Sequence, residues 1–348
     1  MLTLIVRQGG RFFHDLEPAA ISDMIAAPDT VVWLDIQDPG EADHRLLRYE
    51  FGFHPLAIED ATRRRERPKV DAYEHALLVH PEGPEDELAP ENGAATPPGR
   101  QAYYFIVFYE ARFDEANERI ATEAISLFVG RNYLVTVHQG DTRHVTDTLA
   151  RWQAPDSPLG NTVGALVHAF LDAIVDDYFP LMDQVADRAE DLEDNIFEHY
   201  SEEAIQGIFA MKKDLLVLRR IVAPERDVLN VLLRRELPIF QPADAAYLQD
   251  VYDHIVRVTD NIDTYRDLLS SALDSYLSLQ SNHLNQIVKV LTIASIILMA
   301  ASLVTGFYGM NFVNMPELHW GIGSLWALVL IVVITVGLAL YFKRLKWW

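Results

Sequence analysis

The run from Val290 to Asn311, VLTIASIILMAASLVTGFYGMN, decides the reading of this chain. Its first part, Val290 to Phe307, carries no charge, and about 18 to 20 apolar residues suffice to cross roughly 30 Å of hydrocarbon as a helix. A second uncharged run, Ser324 to Phe342, follows a short interval and ends in Lys343-Arg344-Leu345-Lys346-Trp347-Trp348. Basic residues beside interfacial tryptophans mark a cytoplasmic end. Two spans with the C-terminus inside place the N-terminal body inside too, with residues 308–323 facing out. The bland alternative is a helical hairpin buried in a soluble protein, but charge-free runs this long are uncommon in cores.

Upstream the chain is polar. Its 51 acidic and 29 basic side chains give a formal net charge of −22, which repels a phosphate backbone, attracts cations and excludes nucleic acid as a partner. The absence of cysteine excludes disulfides, thiolate metal sites and cysteine nucleophiles. The start, Met1-Leu2-Thr3-Leu4-Ile5-Val6-Arg7, lacks the pattern of a secretory signal, so the body is expected not to be exported. No phosphate loop, nucleophile elbow or His-Glu zinc motif points to an enzyme. Arg63-Arg64-Arg65-Glu66-Arg67 reads more simply as an exposed helix end than as a phosphate site.

Residues 1–155 mix short β-type runs with helical stretches, and a cytoplasmic α/β domain is expected. The strand candidates are Val31–Leu34, Ala76–Val79, Tyr103–Tyr109, Ala124–Val129 and Tyr133–Val137, with an exposed loop over Pro81–Gly99. Pro155-Asp156-Ser157-Pro158 is a break, and residues 156–244 follow as a cytoplasmic helical region that begins near Asn161 and is interrupted at Pro180, Pro224 and Pro238–Pro242. Asp183 to Glu198 packs seven acids and one arginine into 16 residues, as either a solvated helix face or a cation-attracting surface.

The last helix starts near Ala245, and no breaker intervenes before Gly306. Residues 245–287 form a stalk, 288–307 the first transmembrane helix, 308–323 the external loop, 324–342 the second transmembrane helix and 343–348 a basic cytoplasmic tail. Such a stalk is stable mainly when several pack side by side. Steps of three or four trace one stripe through Asp274, Leu277, Ser281, Asn285, Val288, Leu291, Ser295, Met299, Ser302 and Gly306. That is nine steps over 32 residues, about 3.56 per step, which lies between the straight helix and the heptad. The stripe reads as pore-lining. In a symmetric ring Asn285 presents amide oxygens to a hydrated cation, Leu291 and Met299 form hydrophobic constrictions, and Asp274 places carboxylates at the cytoplasmic end. Small residues such as Ser302 also favour plain helix packing.

In Tyr308-Gly309-Met310-Asn311, Gly309 offers backbone freedom for an abrupt exit from the helix. Asn311 offers a neutral carbonyl oxygen, and a ring of these holds hydrated magnesium through its waters without trapping it. Glu317 in the outer loop raises the local cation concentration.

Tyr308-Gly309-Met310-Asn311, followed by Met315-Pro316-Glu317-Leu318, closely resembles the signature of the CorA family of magnesium/cobalt transporters. The resemblance extends through Asn285–Thr292 and Asp250-Val251-Tyr252-Asp253-His254 to Phe53–Asp60 and Arg67–Val70 in the body. It implies a funnel-shaped homopentamer with an α/β/α cytoplasmic domain, a long stalk helix continuing into the pore and an outer span, in the inner (plasma) membrane with both termini cytoplasmic. It assigns the selectivity filter to Asn311, shaped by Tyr308, Gly309 and Met310. Asn285, Leu291, Met299 and Ser302 match pore positions, with Ser302 standing where threonine is usual. It also implies regulatory magnesium sites between subunits. Asp250 matches one such acid, with Asp253 beside it, and Asp274 matches another near the inner pore; the partner across the interface is Glu110, Asp114 or Glu115.

Like charges facing one another between subunits repel, and a divalent ion relieves this, so occupied sites favour a closed ring. The expected function is uptake of Mg²⁺, also Co²⁺ and Ni²⁺, gated by intracellular Mg²⁺, with no organic cofactor. The related zinc branch, with or without proton coupling, is the alternative. Softer metals recruit imidazole or thiolate, and the stripe has neither. His283 and His319 read as surface or interface residues. A membrane-bound enzyme or scaffold is the remaining class.

Overall fold

The computed structural model describes residues 1–14, 16, 21–27, 29–63, 66–73, 102–117, 119–154, 157, 159, 162–199, 202–234, 239–242, 244–310, 315–316 and 320–347. The chain divides into two compact units, Met1–Leu269 and Ser270–Trp348. The break read near residue 155 falls inside the first.

The first unit is built on a seven-stranded sheet of β1 (Leu2–Gln8), β2 (Arg11–His14), β3 (Thr30–Gln37), β4 (Lys69–Tyr73), β5 (Tyr103–Asp114), β6 (Arg119–Val129) and β7 (Tyr133–His138). Their order is β2-β1-β3-β7-β6-β5-β4. Only β3 and β7 run parallel; all other neighbours are antiparallel. Central β3 and β7 are buried over nearly their whole length, which is why they read as continuous apolar runs rather than alternating ones. Alternate residues of β3 face opposite layers. Val32, Leu34 and Ile36 share a core with Ile21 of α1 (Ile21–Ala26), Leu47 of α2 (Glu41–Tyr49) and Ala57 of α3 (Pro55–Thr62). Trp33, on the other face, meets Trp152 of α4 (Arg143–Gln153) at 6.0 Å and Phe170 of α5 (Val163–His199) at 6.4 Å between ring centroids. The sheet is therefore covered on both sides.

The strand candidates at 31–34, 103–109, 124–129 and 133–137 lie inside β3, β5, β6 and β7. Those at 76–79, and the loop at 81–99, lie outside the described residues. The expected interruptions at Pro180 and Pro224 are not there: α5 and α6 (Glu202–Arg234) run through them. A helical proline frees one carbonyl and costs about 3 kcal/mol. Burial of Ile174, Val175, Tyr178, Leu181 and Met182 on one face of α5 holds the helix against that cost, with Pro180 itself on the exposed side.

One buried polar group ties α5 and α6 to the sheet. β4 stops pairing with β5 at Val107, so the Tyr109 peptide groups need other partners. The Tyr109 N–H donates to Glu225 Oε1 at 2.8 Å, and the Tyr178 hydroxyl donates to the Tyr109 carbonyl at 2.8 Å while lying 3.1 Å from Glu225 Oε2. Burial raises the Glu225 carboxyl well above the usual range, which favours its neutral form beside the Tyr178 hydroxyl.

The final elements are α7 (Asp244–Tyr308, 65 residues) and α8 (Gly323–Arg344, 22 residues). The two uncharged runs fall inside them, and the chain itself buries almost nothing of either apolar stretch.

Candidate functional site

In the second unit all ten stripe residues from Asp274 to Gly306 are exposed. Exposure alone does not single them out, because residues 281–290 are exposed on every side of the helix. Along the same helix Ile293 and Val304 are buried; eleven residues is three turns, so they mark a face different from that of Leu291 and Ser302. Large apolar side chains such as Leu291, Leu298, Met299 and Leu303 are more than half exposed, an arrangement that water penalises and that lipid or further copies must cover. Hydroxyls in this stretch bond their own helix: Thr292 Oγ1 to the Val288 carbonyl at 2.7 Å and Thr305 Oγ1 to the Ser302 carbonyl at 3.0 Å.

Gly309 behaves differently from the expectation. It does not adopt positive φ; its N–H continues the helical ladder to the Thr305 carbonyl at 2.9 Å. A Cβ there would sit 3.1 Å from that carbonyl oxygen, so close backbone approach, rather than left-handed geometry, explains the glycine. Asn311, Glu317 and His319 lie outside the described residues.

In the first unit α5 and α7 bring together residues far apart in sequence. Ligand atoms of Asp172, Asp250 and His254 lie within 4.8 Å of one another. His254 Nδ1 lies 3.2 Å from Asp176 Oδ1 but off the hydrogen-bond direction, and its ring meets Phe179 edge-on at 5.5 Å. His168, one turn before Asp172, packs against Tyr247 at 5.1 Å. Burial, then the neighbouring Asp176 charge, raise Asp172, while burial lowers His168. Two carboxylates and an imidazole on rigid helices form a donor set for a divalent cation. Asp250 is 66% exposed, so the group opens to the surface. Asp253 is exposed and accepts the Gln249 amide at 2.9 Å, apart from the cluster.

The spacings His168-Asp172-Asp176 and Asp250-His254 are helical i,i+4 repeats. They signal two one-sided polar faces, but not that the faces meet, and Asp172 and His254 went unassigned for that reason.

The three candidate partners of Asp250 differ. Glu110 is buried, accepting from the Thr142 hydroxyl at 2.6 Å and His144 Nδ1 at 2.6 Å; His144 Nε2 reaches Asp177 at 2.8 Å. Burial alone would raise Glu110, but the bonds from His144 and Thr142 outweigh it and hold the carboxyl below its ordinary value. Asp114 closes the exposed β5–β6 turn, accepting from the Ala116 N–H at 3.0 Å and the Asn117 amide at 2.7 Å. Glu115 is exposed beside it.

An α/β body carrying a carboxylate–imidazole cluster, with two apolar helices that the chain leaves uncovered, is compatible with a membrane transporter of divalent cations. The chain belongs to the CorA-like Mg²⁺ transporter protein family, which matches over residues 28–344. It is 33% identical over 341 residues to the cobalt/magnesium transport protein CorA of Thermotoga maritima, spanning 96% of this chain and 89% of that one. The complete structure of the CorA magnesium transporter from Methanocaldococcus jannaschii superimposes with a TM-score of 0.78 over 99% of this chain and 98% of that one, at 24% identity. The zinc transport protein ZntB of Klebsiella pneumoniae is 26% identical over 226 residues, covering 64% of this chain and 68% of its own.

Proposed function

We propose that the chain is one subunit of a homopentameric channel that admits Mg²⁺, and also Co²⁺ and Ni²⁺, with both termini cytoplasmic and intracellular Mg²⁺ closing the pore. The observation that carries this reading is the line from Asp274 to Gly306, uncovered along its whole length, on which a carboxylate, an amide and hydroxyls are interspersed with apolar residues at one helical period. In the ring, Asn311 with Tyr308, Gly309 and Met310 forms the filter, Asn285 a second amide ring, Leu291 and Met299 the constrictions and Ser302 a hydroxyl ring. Glu317 collects cations outside. The segment boundaries at 155, 244, 287, 307, 323 and 342 follow from this assignment.

Asp172, Asp250 and His254 form the regulatory site within each subunit. Glu110 is held by Thr142 and His144, so Asp114, half-buried at the β5–β6 turn, and exposed Glu115 are the better partners for Asp250 across an interface. An imidazole ligand makes this site favour Co²⁺ and Ni²⁺ over Mg²⁺ at equal concentration.

The test is uptake in proteoliposomes. Magnesium flux blocked by cobalt hexammine and abolished by Asn311→Ala supports the reading; zinc flux that needs a proton gradient transfers the protein to the zinc branch. Loss of internal Mg²⁺ inhibition in Asp250→Ala combined with Asp114→Asn and Glu115→Gln supports the gating role. Unchanged inhibition removes it.

A further inference from the structure

Away from both regions, the first unit holds an open cleft of about 870 Å³, within the range small-molecule sites occupy. Its walls come from separate stretches: Gly9 and Gly10 at the β1–β2 turn, Asp29 before β3, Arg131 at the β6–β7 turn, and Thr162 and Val163 at the start of α5. Its charge runs against that of the chain. Arg7 and Arg131 line it against the single carboxylate of Asp29 among the described residues, in a protein of net charge −22. Arg131 is exposed and enters no ion pair among the described residues. The Arg7 guanidinium is braced 5.4 Å from the centre of the Phe12 ring. Gly9 and Gly10, at φ of 54° and 80°, keep one wall free of side chains. The 37-residue α5 starts at the cleft with no acidic residue of its own in the first turn, but the Asp244 carboxylate lies against Gly164 there, so the arginines and not the helix end carry the positive field.

We propose that this cleft binds a phosphate-bearing small molecule of nucleotide size. The guanidinium fork of Arg131 takes the phosphate oxygens, and the Arg7 charge lining the same cleft adds attraction. Inorganic phosphate fills a small part of the volume, so a nucleoside diphosphate matches the cleft better in size while using the same charge recognition. The proposal concerns neither the pore nor the metal cluster, and stands or falls apart from them.

The experiment is isothermal titration of the purified full-length protein in micelles, with chelator present to keep divalent cations out of play. The probes are ADP, inorganic phosphate and adenosine. ADP is expected to bind, phosphate more weakly, and adenosine not to bind. Arg131→Gln should weaken ADP about tenfold or more, the loss of one charge-assisted contact, and this exposed position can be changed without unfolding the body. Arg7→Gln should act in the same direction. Phosphate binding as tight as ADP binding would overturn the nucleotide size, because the nucleoside would then add nothing to recognition. Absence of ADP binding up to millimolar concentration, adenosine binding as tight as ADP, or ADP affinity unchanged in Arg131→Gln would each overturn it.

Discussion

Asp250→Asn is expected to raise the melting temperature of the metal-free protein while shrinking its response to metal. The ligand atoms of Asp172, Asp250 and His254 lie within 4.8 Å of one another. Two unit negative charges at that separation repel by about 1 kcal/mol in water and by about 3.5 kcal/mol at an effective dielectric near 20. Because Asp250 is 66% exposed, the lower figure applies, and removing its charge relieves about 1 kcal/mol. That corresponds to a rise of about 2 °C for a body of this size. An ion that binds only the folded protein, at about 100 times its dissociation constant, adds about 2.7 kcal/mol. Loss of one ligand in three that weakens binding about tenfold reduces this to about 1.4 kcal/mol. Differential scanning fluorimetry of the full-length protein in micelles, with chelator and then with Co²⁺ or Mg²⁺, reads both quantities. A variant that melts lower without metal and keeps the full metal-induced shift refutes the assignment.

Glu225→Gln should stay within about 1 kcal/mol of the wild type, because burial favours the neutral carboxyl and an amide oxygen can accept the same hydrogen bond from the Tyr109 N–H. Glu225→Ala strands the Tyr109 N–H and the Tyr178 hydroxyl and opens a cavity, costing about 3 kcal/mol or more in a urea melt; equal losses in the two variants would contradict a neutral carboxyl. At His138, burial opposes the charge, but Asp35, 3.2 Å away, and the Gly140 carbonyl at 2.9 Å prevail and raise its pKa above 6.5. The pair therefore stabilises fully below pH 6.5 and loses this contribution as pH rises through the raised folded value. His138→Gln should flatten the melting temperature across that window, and an unchanged slope counts against it. Gly130→Ala places a Cβ 2.2 Å from the Tyr133 ring, which Phe51 and Phe53 hold from other sides; a loss of about 2 kcal/mol or more is expected, and a wild-type urea midpoint would show that the ring can move aside.

Much of the sheet was legible where strands are central. β3, β5, β6 and β7 contain the four described strand candidates, since burial on both faces demands long β-branched and aromatic runs. β1, β2 and β4 fall outside the expected strands, and the strand order puts β2 and β4 at the two edges with β1 beside β2. Edge strands are short and polar because one side faces water: β4, Lys69-Val70-Asp71-Ala72-Tyr73, carries two charges in five residues. Pro180 and Pro224 misled for a related reason, as the cost of a helical proline is local whereas the packing that offsets it is not.

The membrane helices, the long helix entering the first of them and the signature at its end were determined by the sequence alone. Each is a local matter of charge-free length, unbroken periodicity or adjacent residues. The meeting of α5 with α7 at Asp172, Asp250 and His254, the withdrawal of Glu110 into the body beneath Thr142 and His144, and the convergence of Arg7 and Arg131 on one cleft were decided by tertiary structure. These pairings join residues that only the packing of helices on a sheet makes neighbours, and no local periodicity encodes which faces will touch.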